Sequence, residues 1–236
     1  MSQSAEERTA KCADKIVNVF NTGSNQEISE LFRYPVGTCF PCPVIETKVE
    51  FLTKMDFILD DGLRAIIKNS NPIKDWKPVG WRGSMLNNGI VWIDDYTCLI
   101  IGLNYHTKRG IMCSDSIIEN DKRKLHPSLR EFKSPELKAK TKKFIFRIDN
   151  LENNEIRYAS WSINKSMDSK PEIILRNGKY VQDGTGGNHK YVFKNKEYTY
   201  EVFVSVMSEE EWEVGSLSVL KGEEVIYTDS FDYLDN

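Results

Sequence analysis

Few residues in this chain can carry chemistry, and they are scattered. Cys39 and Cys42 frame a Cys-Phe-Pro-Cys motif, a spacing that can close a redox disulfide or supply half of a zinc site. Zinc would need a second pair of ligands, and the sequence holds no other CxxC and no HxxxH. A thioredoxin-like role would need the pair to open a helix after a buried strand, whereas Pro41 and Pro43 surround it. A structural pair is expected; a reversible disulfide and a metal half-site are the alternatives. Asp56 and Asp60 are four residues apart on one helical face, with Asp56 beside Met55. A carboxylate in an apolar pocket can act as a general base; an exposed charge at a helix edge is the plainer expectation. His106, His126 and His189 share no ligand spacing, and His106 sits where it could reach a pocket mouth. Arg82, between Trp81 and Gly83, can clamp an anion or stack on a tryptophan. The stretch Asp183-Gly-Thr-Gly-Gly-Asn-His189 matches neither phosphate-loop pattern and reads as a bulged hairpin loop.

The elements that must position these residues divide into two styles. Residues 5–21 carry Ala10, Ala13, Ile16, Val17 and Phe20 at helical spacing. Ser24 with Glu27 forms a capping-box signature for a short helix that ends at Tyr34-Pro35. A proline-rich connector follows, then a 3.6-residue apolar period that predicts one helix from Thr47 to Asn69. The stretch Trp76–Tyr105 reads as the structural centre: short strands, an Asn87-Asn88-Gly89 turn, and an apolar strand from Thr97 to Tyr105 covered on both faces. Residues 113–142 read as a partly helical linker. From residue 143 the period changes to two, most clearly over Tyr198–Met207, and short strands separated by Gly-containing turns predict an antiparallel sandwich. Its aromatic residues, among them Tyr158, Trp161, Tyr180, Tyr191, Tyr198 and Tyr200, read mainly as core and cross-strand packing.

Composition narrows the function classes. The chain has 236 residues, 40% hydrophobic and 28% charged, with a net charge of −3. That size suits two domains, and that balance gives no general attraction to nucleic acid or to an anionic membrane. Basic residues concentrate between Glu119 and Lys143 and acidic ones between Ser208 and Asn236, which reads as two solvated faces. No apolar run is long enough for a membrane span. Five cysteines, an odd count, fit buried thiols in a reducing compartment. The expected location is therefore cytoplasmic, or exported after loss of a signal peptide.

Three motifs, ELFRYPV (Glu30–Val36), VEFLTKMDFIL (Val49–Leu59) and GSMLNNGIVWID (Gly83–Asp94), together with the element order, resemble the nuclear transport factor 2-like (SnoaL-like) superfamily. The match covers about the first 110 residues and extends in pattern to bacterial proteins that end in a small β domain. The resemblance implies an α+β fold, with helices on a curved antiparallel sheet enclosing a cone, over residues 1–112. A linker (113–142) and an all-β sandwich (143–236) would follow. Members of that superfamily include isomerases, hydrolases, small-ligand binders and protein-interaction modules, and the resemblance does not choose among them. The leading expectation is a non-catalytic ligand- or protein-binding role through the pocket or sheet face, with no cofactor or metal expected. The resemblance adds a homodimer through that face as an expectation. Pocket candidates are Tyr34, Asp56, Arg82, Trp92 and His106. The alternative is a small-molecule isomerase or hydrolase using Asp56 with Tyr34, Arg82 or His106.

Overall fold

Two compact units follow one another along the chain, Met1–Ile117 and Ile118–Asn236. A computed structural model describes residues 3–184, 186–206 and 214–234. Thr185 of the glycine-rich loop, Met207 at the end of the alternating stretch, and the start of the acidic region lie outside the described residues.

In the first unit, Ser4 opens α1 (Ala5–Thr22). Its hydroxyl accepts from the Glu7 amide and the Glu7 carboxylate accepts from the Ser4 amide, so two amides left unpaired by helix geometry are satisfied at once. Ser24 and Glu27 repeat this device on α2 (Asn25–Ser29). The helix expected over Thr47–Asn69 breaks in two. The chain forms α3 (Lys48–Lys54), a 3-10 turn (Met55–Phe57) and α4 (Asp61–Lys68). Asp60 is the reason: its carboxylate accepts from the Leu63 amide at 3.0 Å and from the Tyr105 hydroxyl at 2.9 Å. A side chain that caps a new helix stands at its start, so Asp60 cannot lie mid-helix on one face with Asp56.

Four short antiparallel strands follow in sequential order: β1 (Trp76–Pro78), β2 (Ser84–Leu86), β3 (Val91–Asp94) and β4 (Leu99–Leu103). Asn87, Asn88 and Gly89 all take positive φ between β2 and β3, which is what the Asn-Asn-Gly signal predicts. Leu86, Val91, Ile93 and Ile100 face a core shared with Phe20, Phe51 and Leu63. The opposite face carries half-exposed Met85 and Trp92 and exposed Ile101. The strand expected to be covered on both sides is thus covered on one.

The cysteines depart from expectation. Cys12 pairs with Cys98 and Cys42 with Cys113, with Cα atoms 4.8 and 6.2 Å apart, inside the range a disulfide spans. Cys39 is the free thiol. The CxxC pair is therefore not a disulfide with itself; Cys42 is engaged by a residue 71 positions away.

Helix α5 (Lys108–Lys124) begins in the first unit and ends in the second, and fills the first part of the stretch expected to be a partly helical linker. The second unit then builds β5 (Ser134–Lys140), β6 (Phe144–Asn150), β7 (Ile156–Ser162), β8 (Ile173–Gln182), β9 (His189–Asn195), β10 (Tyr198–Val204), β11 (Gly215–Lys221) and β12 (Glu224–Ser230). Each pairs antiparallel with the next. The chain passes through Phe231 into β13 (Asp232–Tyr233), which pairs with β5. The Lys142 amide donates to Asp229 at 3.1 Å and the Leu234 amide to the Lys138 carbonyl at 2.9 Å, stitching the same seam.

The result corrects the expected fold class. The chain is mostly β, with few helices, a small four-stranded sheet and a nearly closed nine-stranded antiparallel sheet. It is not helices over a cone-shaped sheet followed by a two-sheet sandwich. The physical reason is that alternate residues of successive strands, among them Leu137, Phe146, Tyr158, Phe193, Val202 and Leu217, converge on one interior, so a single sheet curls on itself. β8 bends where Asn177 takes positive φ: residues up to Gly178 pair with β7, and those from Lys179 onward pair with β9. At Gly178 an added Cβ would lie 2.2 Å from the Phe193 ring, so the bend needs the missing side chain. β5 hides in the supposed linker because Pro135 and Ala139 are poor strand formers, although Pro135, Leu137 and Ala139 are its buried residues.

Candidate functional site

Of the five candidate residues, the structure brings two together. Arg82 and Trp92 adjoin, with the guanidinium carbon 5.9 Å from the indole centroid, within cation–π reach. Tyr34 belongs to the core: its ring packs edge-on against Phe51 and its hydroxyl donates to the Ser29 carbonyl at 2.9 Å. Burial, with the nearby Glu30 charge, pushes that hydroxyl up to about 12. Asp56 lies in the 3-10 turn with its side chain 66% exposed, 3.9 Å from Arg109, and so lacks the apolar enclosure a general base would require. His106 is exposed beyond β4. The place of the expected cone is occupied: Phe51 is fully buried, and Met55 and Leu103 pack against the same core, while Trp92 stands on the other face of the sheet.

That other face borders a groove of about 390 Å³. The loop Val79–Gly83 builds one wall. The Val79 amide donates to the Gly83 carbonyl at 2.7 Å, and the Gly83 amide to the Gly80 carbonyl at 3.2 Å. Gly83 has φ +86, and a Cβ there would sit 2.2 Å from the Ile93 carbonyl oxygen. Only glycine lets the loop lie this close to β3, and the consequence is that Trp81 projects 74% exposed at the rim with Arg82 beside it. The β3–β4 turn builds the opposite wall with Asp94, Asp95 and Tyr96, the last 77% exposed.

Two further arginines line the groove, and each is matched by an acid. Arg8, from α1, reaches Asp95 at 3.2 Å and lies 4.4 Å over the Tyr96 ring. Arg33 pairs with Asp94. Burial favours the neutral Asp94 acid, but hydrogen bonds from the Tyr96 and Thr97 amides and from Arg33 hold its carboxyl below the usual range. Arg82 has no carboxylate partner among the described residues. Three arginines against two aspartates leave the groove one positive charge in excess, located at Arg82 between exposed Trp81 and half-exposed Trp92. Sequence reasoning singled out Arg82 and Trp92. It missed Arg8, Arg33 and Tyr96, which reach the groove from three distant stretches with no shared motif.

A second charged cluster also escaped the sequence. On the outer face of β6 and β7, Asp149 accepts from Arg147 Nε at 2.9 Å and from Arg157 Nη2 at 2.7 Å, and all three residues are buried. Arg147 also donates to Asp121 of α5 at 3.0 Å, and Arg157 to the Leu129 carbonyl at 2.7 Å. The Nη1 of Arg147 has no partner. Asp149 and Arg157 are direct cross-strand partners, which was the available signal. With Phe132, Leu129 and Trp161 packed around it, the cluster is a structural clamp without access for a ligand.

The remaining sequence candidates fall to structural roles. His126 accepts from the Ser128 amide at 3.3 Å, and His189 stacks on Tyr180 with centroids 4.8 Å apart. Tyr158, Trp161 and Tyr191 are buried. No group of three or more His, Cys, Asp or Glu able to hold a metal occurs among the described residues, and no described helix is long and apolar enough to cross a membrane. No protein-family model, curated protein or solved structure matches the chain.

Proposed function

We propose that this chain is a non-catalytic binding protein whose first unit engages a polypeptide partner through the Arg82 groove, with an acidic side chain of that partner taken beside Arg82. One observation carries the reading: Trp81, Tyr96 and Arg82 stand together, exposed, around a groove with one uncompensated positive charge. Tryptophan, tyrosine and arginine are the residue types that dominate interface energetics, and a monomer has little reason to expose two large aromatics around one groove. The test is panning of a random displayed-peptide library on the full chain, counter-selected on the Trp81→Ala/Arg82→Ala variant. Enrichment of peptides carrying Asp or Glu beside an apolar residue supports the reading; the same peptides enriched on both proteins would sink it.

We also propose an oxidising compartment for this protein in place of the cytoplasm. Support comes from the two cross-links, because paired cysteines persist where thiols are not kept reduced. Thiol titration of denatured, unreduced protein should find one free thiol per chain, that of Cys39. Finding five would remove the argument.

A further inference from the structure

At the end of the second unit where the β5–β6, β7–β8, β9–β10 and β11–β12 turns gather, the interior is not filled to the rim. A pocket of about 240 Å³ opens there. Its floor is a group of rings: Tyr158 lies 5.8 Å from Phe146, 5.5 Å from Phe193 and 5.9 Å from Tyr200, centroid to centroid. Phe144, Ile173, Leu217 and Val219 form the apolar wall. These residues alternate with outward ones along their strands, so they belong to the same inner face as the core below them. Ile226 is the extra residue of the bulge in β12 and completes the rim.

The polar lining has one character. It consists of the hydroxyls of Tyr158, Ser160, Tyr200 and Tyr227 and the ammonium of Lys143, with no carboxylate. The Tyr227 hydroxyl is already committed, lying 3.0 Å from Thr141 Oγ1 and 3.4 Å from Asp229 Oδ2, a carboxylate behind the lining. Lys143 stands at the mouth with its Nζ 5.6 Å from the Tyr227 centroid. The adjacent Lys142 takes Asp229 at 3.7 Å, and Lys143 has no acidic partner among the described residues. An apolar wall, hydroxyl groups and one free cation at the rim complement a molecule with a hydrocarbon body and an anionic, hydrogen-bond-accepting head. The volume lies below the ~300–1,000 Å³ of sites for drug-sized ligands, which limits the occupant to about ten non-hydrogen atoms.

We propose that this barrel mouth is a binding site for a small amphipathic carboxylate. The hydrocarbon part lies among Phe144, Ile173, Leu217 and Val219, and the carboxylate lies at Lys143. This site is separate from the Arg82 groove and does not depend on that reading.

The probes are octanoate, octan-1-ol and octylamine, titrated into the full chain by calorimetry and by methyl NMR. Octanoate should bind, shifting the methyl signals of Leu217, Val219 and Ile173, and octylamine should not. Lys143→Ala should weaken octanoate by about 10-fold and leave octan-1-ol unchanged. Val219→Phe, which fills the pocket, should abolish both. Arg82→Ala should change neither, which separates this site from the arginine groove. The proposal is overturned if octanoate fails to bind at millimolar concentration, if octylamine binds as well as octanoate, or if the shifts map away from these methyls. It is equally overturned if Lys143→Ala has no effect or if Arg82→Ala abolishes binding. Because Lys143 is exposed, its variant decides the matter even if Val219→Phe does not fold.

Discussion

The two units of this chain hold their shape by different means. The first has strands of three to five residues and both disulfides. Strands that short carry few ladder hydrogen bonds and little cross-strand area; α1 is tied to the turn just before β4 through Cys12–Cys98, and the connector after α2 is tied to α5 through Cys42–Cys113. Cross-links that close loops of 86 and 71 residues remove much of the unfolded chain's freedom. The second unit contains no cysteine. Its strands are mostly seven residues long, its ladder returns nearly to its start, and a buried Arg-Asp-Arg group clamps the α5 end and the following segment to its outer face. The contrast teaches that a ladder with almost no free edge does without covalent ties, whereas a four-stranded sheet covered on one face uses them.

That contrast can be broken at several points. The largest effect is expected at Asp149. Asp149→Ala leaves two buried guanidinium groups facing each other and should cost about 3–5 kcal/mol, read as a shift in the urea midpoint of the second unit. Replacing Arg147, Asp149 and Arg157 together by apolar residues of similar size should restore much of that loss, and a triple variant as unstable as Asp149→Ala would show that the cluster contributes net attraction. Next comes Cys12→Ala with Cys98→Ala, expected to cost about 2–4 kcal/mol. Amide exchange should quicken in α1 and β4 and stay unchanged in β5–β12; a uniform change across both units would erase the distinction drawn between them. Gly178→Ala should cost roughly 1–3 kcal/mol by forcing the Phe193 ring aside, seen as a shifted Phe193 resonance. Asp60→Ala should cost about 1 kcal/mol through the lost cap of α4, whereas Asp60→Asn keeps most of it. Trp81→Ala should change stability by less than about 0.5 kcal/mol while removing peptide binding, which separates a binding residue from a supporting one.

Local signals in the sequence were read well where the cause is local. The capping box at Ser24, the Asn87–Gly89 turn and the alternation of β10 depend on residues a few positions apart, and each holds in the structure. Asp60 shows where periodicity misleads: an apolar spacing that continues across Met55–Asp61 conceals a cap that restarts the helix. Features made by distant residues were not legible. Cys39 and Cys42 invite pairing by proximity, yet Cys39 stays a free thiol and the partner of Cys42 lies 71 residues away. Arg147 and Asp149 alternate with apolar residues as solvent-facing charges do, and only the cover of Leu129, Phe132 and α5 makes them buried. Of the groove, the sequence offered the Arg82–Trp92 side, because those residues lie near one tight turn; the matching arginines arrive by tertiary folding.

The passage of one strand through Phe231 has a consequence for how the protein is made. β12 lies on one edge of the large sheet and β13 on the other, joined by that single residue. A ribosome releases the chain from its amino end, so β5 to β11 emerge while both flanks of their sheet remain unpaired. Until residues 224–233 arrive, the β5 and β11 edges present free amides and carbonyls to any neighbouring chain, the condition under which nascent proteins aggregate or recruit chaperones. The stretch that completes the ladder is thus also the stretch that ends the newborn protein's period of greatest exposure.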